Sequence, residues 1–245
     1  MRSRIDVSRV VLILLGLFWL TAQHAAAADF KFISTDEVKR KLDSGEKFLF
    51  VNALSPIEFD EGTIPGSINI PSSRVTATNP ALPADKGALL VFFCKGPKCD
   101  KSRVAADKAA KLGYTNIMIY NEGIPEWAKR GLPMETHVQY PDYKPERLAP
   151  KALQAQLASV TVLDIRGPGH IKELGRIKEA QIIEMDDLRD KYAALPKGKK
   201  VVVLDHAAKQ VNIAAKFLKM KGYDPVAVLD GGMLAWIREG LPVEK

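Results

Sequence analysis

The sequence predicts an α/β protein of two similar domains, each a mainly parallel sheet with helices on both faces. Apolar runs of strand length alternate with helical segments through most of the chain, which is the pattern of a parallel sheet. The chain also repeats itself. Residues 111–135 align without a gap on residues 220–244, and residues 48–56 align on residues 160–168. A period near 110 residues is too long for a solenoid and indicates a duplicated domain.

The elements of the first unit follow from local signals. Ser34 and Glu37 form a capping box for a helix that ends near Ser44. Trp127 and Trp236 take equivalent places in the two units and are predicted to anchor the two cores. Further strands are predicted at 48–52, 67–70, 89–93 and 117–120, and further helices at 56–61, 100–112 and 125–130.

The domain boundaries follow from a segment without periodicity. Residues 138–150 are rich in proline and tyrosine and have neither a helical nor a strand pattern. We therefore expect a first domain at 30–137, a linker at 138–149 and a second domain at 150–245.

The first 28 residues have the features of a secretory signal peptide. Three arginines precede an apolar stretch of eleven residues at 10–20, which is too short to span a bilayer comfortably. Alanines at 26–28 form a small-residue cleavage site. We expect residues 1–28 to be removed and the remaining chain to be periplasmic or secreted, with no membrane attachment after cleavage.

Composition narrows the function classes. The chain has a net charge of +7, and removal of three arginines and one aspartate with residues 1–28 leaves +5. Its lysines are scattered among acidic residues, which favours a solvated surface over a nucleic-acid interface. With two cysteines, Cys94 and Cys99, a disulfide framework is excluded.

Cys94 is the candidate nucleophile. It follows the apolar run at 89–93 and precedes the helix predicted at 100–112. A thiol at the carboxyl end of a buried strand faces free N–H groups and the positive end of a helix dipole, and both favour the thiolate. The thiolate is the nucleophilic form of cysteine. The competing interpretations are a buried inert thiol and a disulfide with Cys99.

Several segments, in order and twice, resemble the rhodanese family and in particular its tandem members. Residues 58–71 are similar to the family's acidic–aromatic–glycine segment, with Thr63 where histidine is common. Residues 163–167 match its Asp-Val-Arg strand end, and each unit closes with a Gly-x-x-x-Trp segment. The CKGPKC segment at 94–99 lies where the family has its active-site loop.

The resemblance implies a ping-pong sulfurtransferase that needs no cofactor and no metal. Cys94 would take a sulfur from a small anionic donor such as thiosulfate, become a persulfide, and pass the sulfur to cyanide, a thiol or a protein acceptor. Lys95 and Lys98 would attract the donor, and the loop backbone through Gly96 and Cys99 would line a cradle around the sulfur.

The sequence departs from the family pattern within the first unit. Asn52 and Leu54 replace the usual Asp and Arg of the strand end, and this weakens an orienting network. Pro97 removes one N–H from the loop. Cys99, five positions after Cys94, is unusual.

The second unit lacks a nucleophile. Its matching strand at 201–205 ends at Asp205 and is followed by His206. Neither residue can carry a persulfide, so the second domain is predicted to be catalytically inactive. His206 has no clustered partner ligands in the sequence and is predicted to be structural.

Alternative functions remain open at this point. The chain could be a persulfide or thiol carrier for a protein partner, or a non-catalytic binding module with a redox-regulated Cys94–Cys99 disulfide. Cys99 could attack a sulfur held on Cys94 and release sulfide, or it could fill space in the helix packing. A phosphatase is disfavoured, because Asp100 stands where the oxyanion-binding arginine is required.

Overall fold

The computed structural model describes residues 29–245, and the expected signal peptide at 1–28 lies outside the described residues. The first sheet has five strands: β1 (Lys31–Phe32), β2 (Leu49–Asn52), β3 (Ile68–Asn69), β4 (Leu90–Phe93) and β5 (Ile117–Tyr120). Its helices are α1 (Thr35–Asp43), α2 (Pro56–Glu61), α3 (Lys101–Lys111) and α4 (Gly123–Lys129).

The second sheet repeats this arrangement. Its strands are β6 (Glu146–Leu148), β7 (Thr161–Asp164), β8 (Gln181–Ile182), β9 (Val201–Leu204) and β10 (Val226–Leu229). Its helices are α5 (Pro150–Gln154), α6 (Pro168–Leu174), α7 (Leu188–Lys191), α8 (Val211–Met220) and α9 (Gly232–Arg238).

The two sheets have the same strand order. The first runs β1-β5-β4-β2-β3 and the second β6-β10-β9-β7-β8, and the strand pairs within them are parallel. β4 and β9 therefore hold the central positions, with their carboxyl ends at the edge where ligands bind in parallel α/β sheets. The predicted duplicated α/β fold is confirmed.

Both faces of each sheet are covered, as strand β4 shows. Leu90 and Phe92 pack on the side of α3, whereas Val91 and Phe93 pack on the opposite side with Trp127. This alternation explains the unbroken apolar run, because a strand covered on both faces has no polar side. Trp127 and Trp236 are buried as predicted.

Local sequence signals predicted the bounds of most helices and strands to within one or two residues. Ser34 and Glu37 form the predicted capping box of α1. α4 begins at Gly123 rather than at residue 125, because the backbone of Gly123 turns close to the Cys94 carbonyl. Strand β6 lies inside the segment expected to be a linker. It was missed because three residues are too few to show a period, and it pairs with β10.

The segment between the two sheets also packs against the second domain. Tyr140 is buried in the core that surrounds α8, and the hydroxyl of Tyr143 donates to the carbonyl of Val226 at 2.5 Å. Among residues 29–245, no helix is both long and apolar enough to cross a membrane.

Polar contacts tie the two domains together. Arg74, just after β3, donates to the carbonyl of Asp186 at 2.8 Å and to the carboxylate of Asp187 at 3.0 Å. Lys101, the first residue of α3, pairs with Asp186 at 3.2 Å. Ile57 of α2 packs into the core of the second domain. The helix that follows Cys94 is thus held by a carboxylate of the other domain.

Candidate active site

Cys94 lies directly after the central strand β4, as the sequence predicts. Its side chain is only 1% exposed. Its carbonyl accepts a hydrogen bond from the N–H of Ile124 at 3.1 Å. Gly123 makes this contact geometrically feasible, because a Cβ there would stand 2.3 Å from the Cys94 carbonyl oxygen and its φ is +61°. The start of α4 therefore fixes the backbone of Cys94.

The Cys94 sulfur is surrounded by groups of the loop and of α3. Its Sγ lies 3.2 Å from the Cys99 carbonyl oxygen and 3.4 Å from Ser102 Oγ. A hydrogen bond from the Cys99 side chain, opposed by burial and assisted by the Ser102 hydroxyl and nearby backbone N–H groups, lowers the pKa of Cys94 to about 7. The Cys99 carbonyl acts in the other sense, since it accepts from the thiol form.

Cys99 is the partner thiol and is protonated while it donates to the Cys94 thiolate. Its hydrogen bond to Cys94, together with burial and the charge of a Cys94 thiolate, raises the pKa of Cys99. Both cysteines are free in the structure, so the disulfide weighed for this pair is not formed. The loop thus holds a low-pKa thiol beside a high-pKa thiol.

The two predicted loop lysines have different surroundings. Lys95 pairs at 3.1 Å with Glu58, a buried carboxylate of α2. Burial opposes ionisation of Glu58, but Lys95 and Lys101 outweigh it and lower the pKa of this carboxyl. Lys98 is exposed, and Gly96 has a φ of +86° that only glycine adopts easily. Both lysines are exposed, but the charge of Lys95 is offset by Glu58.

The sequence analysis did not predict three residues around the loop: Ser102, Glu58 and Gln210. Ser102 lies beside the Cys94 sulfur because α3 begins there, and its spacing from Cys94 in the sequence was the available signal. Glu58 reaches Lys95 from α2 and accepts from Gln210 of the second domain at 2.8 Å. These long-range pairs have no sequence signal.

Asn52 stands where the family has an aspartate, and it preserves part of the hydrogen-bond network that this change was expected to weaken. The Leu54 N–H donates to Asn52 Oδ1 at 3.0 Å, and the Arg166 N–H donates to Asp164 Oδ1 at the same distance. The Asn52 amide also donates to Thr63 at 3.0 Å. The first domain therefore has a neutral Asn52 turn where the second has a charged Asp164 turn, and the hydrogen bond to the backbone N–H is kept.

The two domains enclose a cleft of about 730 Å³. It is lined by residues of both active-site-type loops and of the segments opposite them: Leu54, Glu58, Ser72, Ser73, Lys95, Lys98, Cys99, Lys101, Arg166, His170, Asp186, Asp205, His206, Lys209 and Gln210, among others. A smaller hollow of about 240 Å³ lies on the outer side of the first loop and is lined by Pro97, Lys98, Cys99, Ser102, Arg103 and others.

In the second domain Asp205 takes the place of Cys94. Its carbonyl accepts from the N–H of Met233 at 2.9 Å, as Cys94 does from Ile124. Its carboxylate accepts from the backbone N–H groups of Ala207 at 3.0 Å, Ala208, and Gln210 at 2.6 Å. The backbone N–H groups of this loop therefore still form an anion-binding cradle, and the carboxylate of Asp205 occupies it.

His206 follows Asp205 and stacks on His170, with ring centroids 4.6 Å apart. Its Nδ1 is buried and has no hydrogen-bond partner. Burial and the neighbouring His170 lower the pKa of His206. Within residues 29–245 there is no group of three or more ligating side chains that could hold a metal ion.

Comparison with models of protein families shows to which family the chain belongs. The model of the rhodanese-like domain matches residues 34–130 and residues 149–239. The chain belongs to the rhodanese family. The two matches correspond to the two sheets, so the rhodanese domain occurs here in tandem.

Two curated relatives of 33% and 34% identity each cover less than half of this chain. A sulfurtransferase of Allochromatium vinosum is 33% identical over 89 residues, which is 36% of this chain and 82% of that protein. The thiosulfate:glutathione sulfurtransferase of Homo sapiens is 34% identical over 110 residues, covering 40% of this chain and 93% of that protein. Relatives of this kind support a transferase of the rhodanese family.

Solved structures are also similar to this chain. A rhodanese-related protein of Thermoplasma volcanium is 29% identical with a TM-score of 0.38, covering 40% of this chain and 97% of that one. The thiosulfate sulfurtransferase of Pseudomonas aeruginosa is 19% identical with a TM-score of 0.41, covering 88% of this chain and 43% of that one.

Proposed function

We propose that this rhodanese moves sulfane sulfur from thiosulfate, or a similar small anionic donor, to cyanide or a thiol through a persulfide on Cys94. The observation that carries the proposal is the Cys94 thiol at the end of β4, whose pKa is lowered to about 7. At neutral pH a large fraction of such a thiol is the nucleophilic thiolate.

The reaction runs in two displacements. The Cys94 thiolate attacks the outer sulfur of thiosulfate, the S–S bond breaks, and sulfite leaves with the electron pair. Cyanide or a thiolate then attacks the outer sulfur of the persulfide, and the Cys94 thiolate is released. Backbone N–H groups near Cys94 stabilise the negative sulfur, and Lys98 favours the approach of a dianion.

Mass spectrometry of the loaded protein tests the proposal. Incubation of the reduced protein with thiosulfate should add roughly 32 Da, the mass of one sulfur atom, to the peptide of Cys94. Cys94→Ser should abolish both this adduct and thiocyanate formation from thiosulfate and cyanide. Lys111→Ala, at the exposed far end of α3, is the matched control and should keep both. Absence of the adduct in the reduced wild type overturns the proposal.

A second candidate is a slow persulfide carrier or a protein-binding module. The observation in its favour is the burial of Cys94, which restricts access to the sulfur. In that case the reduced protein would form little thiocyanate at any thiosulfate concentration. Oxidation that joins Cys94 to Cys99 would then switch the loop between two states.

We also propose that the protein works outside the cytoplasm, after cleavage near Ala28. The support is the basic, apolar and small-residue order of residues 1–28. Amino-terminal sequencing of the native protein from its host should begin near Asp29. A native chain that retains Met1 on a membrane would contradict export and cleavage.

A further inference from the structure

The two cysteines of the loop differ in what they face. Cys94 is 1% exposed and lines neither of the two cavities. Cys99 is partly exposed and lines both the cleft between the domains and the smaller outer hollow. A sulfur bound to Cys94 is therefore enclosed by the loop, whereas a sulfur bound to Cys99 would face the cleft.

The two cysteines lie close together across the loop. Cys94 Sγ lies 3.2 Å from the backbone oxygen of Cys99, and the interaction of the two thiols shifts both of their pKa values. The loop between them is short and tied by a hydrogen bond from the Cys99 N–H to the Gly96 carbonyl at 2.9 Å. No large rearrangement is needed to bring Cys99 onto a sulfur carried by Cys94.

We propose that Cys99 is a second sulfur carrier, which takes the outer sulfur from the Cys94 persulfide and presents it to a thiol acceptor bound in the cleft between the domains. This inference rests on the proposed function, because it needs a persulfide on Cys94. It assigns Cys99 a different role from a resolving thiol, which would attack the inner sulfur and release sulfide.

The transfer is balanced without an added oxidant or reductant. The Cys99 thiol gives its proton to the terminal sulfur of the Cys94 persulfide. The Cys99 thiolate then attacks that outer sulfur, a new S–S bond forms on Cys99, and the bond to Cys94 breaks. Cys94 leaves as a thiolate, and its low pKa makes it a good leaving group.

The cleft is suited to an acceptor larger than cyanide. Its volume of about 730 Å³ is in the range of small-molecule sites that hold drug-sized ligands, roughly 300–1,000 Å³. Lys98 of the first loop and Lys209 of the second line this cleft, at equal distances along the chain from Cys94 and Asp205. A peptide-sized thiol with carboxylates fits this chemistry.

Trypsin separates the two cysteines, which makes the inference directly testable. It cleaves after Lys95 and Lys98, so that Cys94 falls in the peptide 87–95 and Cys99 in the peptide 99–101. The reduced protein would be mixed with thiosulfate, quenched with excess alkylating reagent at successive times, and digested. We expect the added sulfur first on peptide 87–95 and later on peptide 99–101.

The Cys99→Ser variant provides an independent measurement. Its rates of sulfur transfer to glutathione and to cyanide would be compared with those of the wild type. We expect the ratio of glutathione transfer to cyanide transfer to fall at least about tenfold, because cyanide is small enough to reach Cys94 directly. Lys111→Ala is again the control and should keep the wild-type ratio.

The outcomes separate this inference from the proposed function. If Cys94 is loaded but peptide 99–101 never carries sulfur while glutathione is persulfidated, the relay is wrong and the proposed function stands. A Cys94–Cys99 disulfide with free sulfide also overturns the relay, as does an unchanged ratio in Cys99→Ser. If Cys94 itself is never loaded, the proposed function fails and the relay with it.

Discussion

Asp205 occupies in the second domain the position that Cys94 occupies in the first. The carbonyl of each residue accepts a backbone hydrogen bond from the start of the last helix of its domain, α9 for Asp205 at 2.9 Å and α4 for Cys94 at 3.1 Å. At Cys94 the loop surrounds a sulfur atom, whereas at Asp205 it surrounds a carboxylate. The same backbone arrangement thus holds a thiol of lowered pKa in one domain and a hydrogen-bonded carboxylate in the other.

The pH dependence of Cys94 should follow its lowered pKa. Because the thiolate predominates above the pKa and the thiol below it, we expect the rate of persulfide formation to rise with pH around a midpoint near 7. The measurement is the initial rate of sulfur incorporation into peptide 87–95 between pH 5 and about 9. A midpoint near about 8.5, the ordinary value for cysteine, would contradict the described hydrogen bonding.

Ser102→Ala should move that midpoint upward. The Ser102 hydroxyl lies 3.4 Å from Cys94 Sγ and helps to lower the pKa of the thiol. Its removal should raise the midpoint by less than about one pH unit, since other donors remain. Ser159→Ala, at an exposed position in the second domain, is the control. An unchanged midpoint in Ser102→Ala would show that the hydroxyl has no part in the ionisation.

Asp205→Ala should destabilise the second domain. Its carboxylate accepts from three backbone N–H groups in part-buried hydrogen bonds, and leaving donors of this kind without an acceptor costs up to about 1–3 kcal/mol. The check is the free energy of unfolding from urea titration. Asp230→Ala is the comparison, because the Asp230 side chain forms an exposed ion pair with Arg147, and its loss should cost less than about 1 kcal/mol. Equal effects would argue against the cradle.

Gly123→Ala should displace Cys94. The new Cβ would stand 2.3 Å from the Cys94 carbonyl oxygen, so the loop or the helix has to shift. Gly131→Ala is a matched control with a similar φ of +68° and open space around it. We expect Gly131→Ala to cost roughly 1 kcal/mol of stability. Gly123→Ala should cost more and also slow persulfide formation; equal behaviour of the two variants would exclude a clash at Cys94.

Local sequence signals were sufficient for most of the fold. A strand covered on both faces needs a continuous apolar run, and a serine three residues before a glutamate marks a helix start, so the sequence predicted β4 and the Ser34 cap of α1. The duplication was visible because Trp127 and Trp236 anchor equivalent places. β6 was not readable, since its three residues gain their strand character from pairing with β10.

The candidate site was less predictable than the fold. The position of Cys94 followed from one strand and one helix, but its burial depends on how the loop folds back over it. Lys95 was expected to face a donor, yet it pairs with Glu58, which is distant in sequence and brought near by α2. Contacts that cross between elements or domains have no local pattern.

The ion pair between Lys101 and Asp186 joins the two domains, so it would be lost if the domains were produced as separate fragments. Lys101 begins the helix that holds Ser102 against Cys94, and its carboxylate partner belongs to the other domain. A fragment ending near residue 137 would take Asp186 away from this amine and would expose Ile57, which is buried against the second core. The second domain therefore holds α3 in place, and separating the two domains would loosen the loop that carries Cys94.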